Sequence, residues 1–244
     1  MGGLIVLRLI YERRAAARAA SRSKVEGALI AILQDRDEAM AQLAPFAHRA
    51  RLMAEVVLEF LSIVRGHDQE RVLTVLRDLA VDRTLRRRLD RGSLAGRLAC
   101  LEALAVFPGP ETLAALAKAA SSRRPRLRLV ALRSLAEVGG DVTIDRLLDE
   151  LLAGALKPSG LFGEFLRTLA AADPHAAMQA AARGDLTPAS RALVLDALGE
   201  AGDYSALPLL IQHAAGPDAQ VQVAAVQALG RLRHPAAEPA LLAA

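Results

Sequence analysis

Tryptophan is absent from this 244-residue chain, aromatic residues make up only 3% of it, and Cys100 is the single cysteine. One cysteine cannot form an internal disulfide, so nothing in the fold demands an oxidising compartment, and a reduced cytoplasmic one is compatible. Scarce aromatics argue against a β-sandwich core and leave few rings on which nucleic-acid bases could stack. No apolar run approaches the ~20 residues that a helix needs to span a bilayer. A Gly-rich phosphate loop is missing, and Gly139-Gly140 reads as a turn between helices. His48, His67, His175, His213 and His234 form no pair at helical spacing, and no HExxH motif occurs, so neither a metal nor any other cofactor is expected.

What the chain does have is alanine and leucine, within a hydrophobic content of 53%. Both are strong helix formers, and many closely packed helices are the expected outcome. A short phrase recurs: Leu101-Glu102-Ala103-Leu104-Ala105, Leu132-Arg133-Ser134-Leu135-Ala136, Leu166-Arg167-Thr168-Leu169-Ala170, Leu195-Asp196-Ala197-Leu198-Gly199 and Val226-Gln227-Ala228-Leu229-Gly230. Its spacings are 31, 34, 29 and 31 residues. Each phrase predicts a first helix, a turn and a second helix, with the second helices near 111–120, 143–153, 174–183, 204–214 and 236–244. Gly139-Gly140-Asp141, Gly202-Asp203, Pro108-Gly109-Pro110 and Arg233-His234-Pro235 supply the breaks. Glycine takes the positive φ past a helix end, aspartate caps the next helix, and proline cannot continue the previous one.

A helix pair of ~30 residues cannot bury its apolar face alone, so pairs must lean on their neighbours. The expected fold is therefore all-α: an α-solenoid of helix pairs over 93–244, preceded by a basic helix at 1–23 and a non-repeat helical segment at 24–92. Helices are expected near 4–20, 24–34, 37–48, 49–65, 68–81 and 83–91 in that front part, with Gly66 and Gly92 as stops. No long Ser/Gly/Pro linker interrupts the chain, which favours one continuous stack. The last segment, Pro239-Ala240-Leu241-Leu242-Ala243-Ala244, lacks the polar face of a terminal repeat. Either more chain or another surface is expected to cover it.

The run Val221-Gln222-Val223-Ala224-Ala225-Val226-Gln227-Ala228-Leu229-Gly230 resembles the first helix of HEAT-like repeats, of the kind also found in phycobilin lyase subunits. The arginine of that pattern falls on Arg97, Arg128 and Arg191 and is lost at Phe162 and Gln222, while Pro208 and Pro239 stand in second helices where such repeats carry proline. The resemblance covers 93–244. It implies that Arg97, Arg128 and Arg191 pair with acids or helix-end carbonyls of adjacent repeats, with Asp141 and Asp203 as candidate partners. It also implies a protein-binding role, or, as an alternative, a lyase-like chaperone that seats a tetrapyrrole on a carrier protein. The HEAT-repeat deoxyhypusine hydroxylases bind iron through His-Glu pairs, and this chain contains no His-Glu dipeptide. More loosely, the layout resembles bacterial single-pass membrane proteins with a cytoplasmic HEAT array.

Charge is unevenly spread. Residues 1–24 carry six basic side chains against one acid, residues 25–128 carry 17 against 13, and residues 129–244 carry 8 against 13. A basic front and an acidic back suggest different neighbours at the two ends. Leu4-Ile5-Val6-Leu7, Arg8, Leu9-Ile10-Tyr11 and then Glu12-Arg13-Arg14 admit two readings: an amphipathic first helix capping the stack, or the last turns of a membrane helix leaving the bilayer on its cytoplasmic side. Arg13, Arg14 and Arg18, the cluster Arg83, Arg86, Arg87, Arg88 and Arg91, and the cluster Arg123, Arg124 and Arg126 are the candidate contact residues. A solvated, salt-bridged face is the plainest account of them. An acidic protein partner (a membrane protein complex among the options) or anionic lipid headgroups come next. Nucleic acid ranks last, because the −5 back half would repel phosphate.

Cys100 occupies the repeat slot held by Ala131, Phe165, Val194 and Ala225, where a free cysteine acts as a small hydrophobe. Adjacent carboxylates such as Asp149-Glu150 diverge on a helix and form no dyad. The function expected is a non-catalytic scaffold or adaptor that binds protein partners, held at the cytoplasmic membrane face if the second reading of the first residues applies.

Overall fold

The computed structural model describes residues 2–34 and 36–243, and for 2–12, 14 and 243 it describes the backbone alone. Among the described residues there is no strand, and the helices pack in neighbouring pairs, as in a HEAT-like α-solenoid. The helices are α1 (Gly2–Ala31), α2 (Arg36–Leu43), α3 (Ala50–Ile63), α4 (His67–Asp78), α5 (Val81–Arg88), α6 (Leu94–Leu104), α7 (Pro110–Ala120) and α8 (Pro125–Glu137), followed by α9 (Ile144–Leu152), α10 (Gly160–Ala172), α11 (Pro174–Ala181), α12 (Pro188–Ala201), α13 (Leu207–Ala214), α14 (Ala219–Leu232) and α15 (Glu238–Ala243). Short 3-10 turns at Ala44–Phe46, Tyr204–Ala206 and Pro235–Ala237 lead into or out of them.

The chain forms two compact units. The first comprises Met1–Ser122 and Val130–Gly140, and the second Arg123–Leu129 and Asp141–Ala244. In the first unit α1 lies against α2 and α3, and α3 lies against α5 and α6. Val25, Ala28 and Leu29 recur three and four apart on α1, Ile32 follows in the turn that ends it with its N–H still donating to the Ala28 carbonyl, and all four are buried. Met53, Ala54, Val56 and Val57 from α3 and Val72, Val75 and Leu76 from α4 complete this core.

In the second unit the first helices of successive pairs form a row, α10 against α12 and α12 against α14. The second helices, α11 and α13, pack on the first helices beside them. Ala197 and Ala228 are buried at this seam, as are Leu198 and Leu229, whereas Leu169 is only half-buried. Small side chains matter most where α12 meets α14: a Cβ placed on Gly199 would lie 2.6 Å from the Ala228 Cα. An ion-pair ladder runs along the same row. Asp196 accepts from Arg167 at 3.4 Å and from Arg231 at 2.7 Å, and Arg231 also reaches Glu200 at 3.2 Å.

Local chemistry explains where the helices start and stop. Ser93, Thr143, Ser159, Asp173, Thr187 and Asp218 each accept a backbone N–H from the first turn of the following helix, satisfying a donor that the helix itself cannot. Gly202 ends α12 with φ of 74°, and Arg233 ends α14 in the same left-handed region at φ of 50°. There His234 takes over the next cap, its Nδ1 accepting from the Ala236 N–H.

Two expectations need correction. A break after residue 20 is not present: α1 runs through Ser21–Lys24 to Ala31. Serine lowers helix propensity only modestly and arginine and lysine are good helix formers, and here Ser21 Oγ donates back to the Ala17 carbonyl while Arg22 pairs with Glu26 one turn on. Asp141 does not cap α9 either. Thr143 does so, two residues later, and the Asp141 carbonyl accepts from Arg146. Among the described residues no helix is long and apolar enough to cross a membrane. The side chains of Leu4–Glu12, on which both readings of the first residues turn, lie outside the described residues.

Candidate binding surface

The repeat register assigns the interior first. Cys100, Ala131, Phe165, Val194 and Ala225, one slot in five repeats, are all buried. Burial pushes the Cys100 thiol up to about 11, against a smaller opposing pull from the Arg88 charge. A thiol of that acidity is about one part in a thousand thiolate at pH 8, against about one in ten at its ordinary value. Alkylation of native Cys100 by iodoacetamide at pH 8 is therefore expected to be at least ~100-fold slower than in the urea-unfolded chain, from ionisation alone. Equal rates would show that the slot is open. Burial, with the Arg191 charge assisting, also holds the His213 imidazole below its ordinary value.

Of the three slot arginines, Arg191 and Arg128 make the expected kind of contact, whereas the buried Arg97 Nε has no hydrogen-bond partner among the described residues. Arg191 donates to the carbonyls of Ala181 and Arg183 at the end of α11, a helix C-terminus that welcomes a cation. Arg128 pairs with an acid, but that acid is Glu150, and neither Asp141 nor Asp203 accepts from these arginines. Asp203 instead caps the turn that precedes α13 by accepting from the Ser205 N–H. Asp149 and Glu150 diverge as expected, the first to Arg183 and the second to Arg128. Arg183 is a hub: it holds Asp145, Asp149 and Asp185, and its hydrogen bond lowers the Asp185 pKa. Among the described residues no group of three or more His, Cys, Asp or Glu side chains is arranged to hold a metal ion.

A concave basic surface lies in the first unit. A groove of about 750 Å³ opens between the middle of α1, the turn into α3 and the end of α5. Arg18 and Arg22 face it from α1, His48, Arg49 and Arg51 from the start of α3, and Arg88 from α5, over a floor of Ala17, Ala19, Ala50 and Leu52. Two of these charges are already answered. Arg22 is held by Glu59 and Glu26, which raise its pKa further, and Arg51 donates to Glu55 at 2.7 Å. Arg49 is aimed by neutral contacts, donating to Ser21 Oγ at 3.1 Å with its guanidinium 5.3 Å from the Phe46 ring centre. Arg18, Arg49 and Arg88 have no carboxylate partner among the described residues, so three cations converge on one hollow without compensation.

The sequence-predicted arginines thus divide. Arg18 and Arg88 meet in the groove. Arg13, Arg83, Arg87 and Arg91 are exposed outside it, and the Arg14 side chain lies outside the described residues. Arg86 is half-buried between Asp82 and Glu111 and ties α5 to α7. Arg123, Arg124 and Arg126 are exposed at the start of α8 and belong to the second unit. Arg49, Arg51 and Arg22 were not anticipated. The signals were the run His48-Arg49-Ala50-Arg51 and the helical spacing of Arg18 and Arg22, each too short to stand out beside the five arginines of 83–91.

Residues 176–244 match the HEAT repeats family. That stretch covers α12, α13, α14 and α15 with most of α11, where the row of first helices and its ion-pair ladder are most regular. The HEAT-like reading of the C-terminal part is thereby supported from the sequence side as well as from the packing. No curated protein and no solved structure matches the chain.

Proposed function

We propose that this protein is a non-catalytic scaffold whose work is to hold another protein. The observation that carries the reading is the division of its charges. In the second unit the arginines of the helix row and the Arg183 hub are spent on intramolecular pairs, while the first unit presents a hollow with three arginines that have no carboxylate partner among the described residues. Uncompensated cations in a concave site steer and hold an oppositely charged partner. HEAT repeats commonly mediate protein–protein interaction, which agrees with this use. The buried, high-pKa Cys100 supports the non-catalytic part of the reading.

The test is the state of the untagged protein in a gently lysed extract of its own cells. Gel filtration is expected to place it in a complex well above its 25.9 kDa, and raised salt is expected to release it. Elution as the bare chain at low salt, with no partner found by in-cell cross-linking, sinks the scaffold reading. Anchoring at the cytoplasmic membrane face is a finer version of the same proposal. It draws support from exposed Arg13, Arg18 and Lys24 on one helix, and the extract reports it as recovery with the membrane pellet.

A further inference from the structure

We infer that the groove of the first unit is the seat for an acidic peptide segment of a partner protein, one that alternates carboxylates with small apolar side chains. This rests on the scaffold reading and narrows it to one site and one ligand chemistry. Three features of the groove decide the chemistry. Its open charge is modest: Arg18, Arg49 and Arg88 have no carboxylate partner among the described residues, while Arg22 and Arg51 carry their own glutamates. A few carboxylates satisfy three guanidinium forks, each able to take one carboxylate through two parallel hydrogen bonds. Polyphosphate would bring more negative charge than the groove leaves open.

The second feature is the floor. Ala17, Ala19, Ala50 and Leu52 give an apolar surface between the cations, on which a peptide can bury side chains. A nucleic-acid strand would want aromatic stacking there, and the nearby Phe46 ring already faces the Arg49 guanidinium. Shape is the third. At about 750 Å³ the site falls within the ~300–1,000 Å³ of ligand-sized clefts. A bilayer surface is broad and reads the outer cations such as Arg13 and Lys24, not a hollow. Arg49 is also pre-aimed by Ser21 and Phe46, so less side-chain freedom is lost when it binds.

The experiment is fluorescence polarisation of the whole protein with a labelled hexapeptide of alternating glutamate and alanine, which offers three carboxylates to the three arginines. The same peptide with glutamine for glutamate, a labelled oligothymidylate and phosphatidylserine vesicles serve as comparisons. Wild-type protein is expected to bind the acidic peptide saturably, with affinity falling as salt rises. R18E/R49E/R88E is expected to weaken binding at least tenfold, and R83Q/R87Q/R91Q, which lie outside the groove, less than twofold. Circular dichroism keeps the test valid, since all six positions are exposed and their variants are expected to melt with the wild type. R18Q/R88Q gives a milder reading, with a loss of several-fold, should the charge reversal disturb the fold. No saturable binding overturns the inference. So does equal binding of the glutamine peptide, an equal loss in both triple variants, or tighter binding of the oligonucleotide or the vesicles. A complex that persists in cell extract with R18E/R49E/R88E removes the groove and leaves the scaffold standing.

Discussion

Leu195→Ala is expected to destabilise the second unit by ~2–5 kcal/mol, the range for truncating a buried leucine whose site cannot fully collapse. Leu195 is completely buried on α12, and α12 is the middle of its row, packed on α10 and on α14 with α11 alongside. The side chain is therefore enclosed by several helices, and relaxing around the lost atoms would require helices that other contacts hold in place. Against a typical domain stability of ~5–15 kcal/mol the loss is severe. Because helix pairs of this kind depend on their neighbours, it is expected to spread along the row instead of melting one pair. Val223→Ala, on α14 but 55% exposed, is the matched control and is expected to change stability by no more than ~0.5 kcal/mol. Urea unfolding followed by far-UV circular dichroism compares the two. Equal midpoints would mean that the leucine of the repeated phrase does not hold the row together.

The same phrase shows why much of this fold could be read from the chain. Each pair is specified within ~30 residues: apolar positions three and four apart, a capping Ser, Thr or Asp, and a glycine or proline between helices. Those signals are local, and the second helices stand within a few residues of where they were expected. Contacts that join distant residues were less legible. The α1 helix continues through Ser21–Lys24, and its Arg22 is tied down partly by Glu59, 37 positions away. Glu150 lies 22 residues from Arg128, inside a helix, whereas the sequence points to aspartates that stand in the turns.

The groove belongs to the second kind. Its cations come from three segments, and what separates the answered arginines from the free ones is which glutamate folds onto which guanidinium. Arg86 shows the danger of reading charge runs alone. It sits in the densest arginine cluster of the chain, yet it is half-buried and spent on Asp82 and Glu111. Arg49, which stands outside any arginine cluster, is held at the groove by neutral contacts.

Gly199 brings two effects of opposite sign to one position, and their sizes decide the outcome. Inside α12, alanine would favour the helix over glycine by ~1 kcal/mol. The added Cβ, however, would lie 2.6 Å from both the Cα and the Cβ of Ala228 on α14, and 3.3 Å from the Ala228 carbonyl oxygen. The obstacle includes backbone, so no rotamer change removes it, and the two helices must move apart along a tightly packed seam. Such overpacking costs ~1–3 kcal/mol and occasionally more. Gly199→Ala is therefore expected to lose up to ~2 kcal/mol on balance. Gly199→Val adds two more carbons with a stiff branch and recovers less helix propensity, so it is expected to lose ~3 kcal/mol or more. Ala228→Gly in the Gly199→Ala background removes the Cβ but leaves the Cα in the way, so its rescue should be partial. Thermal and urea unfolding read all three. A Gly199→Ala protein more stable than wild type would mean that helix propensity wins, and that α12 and α14 do not meet this closely in solution.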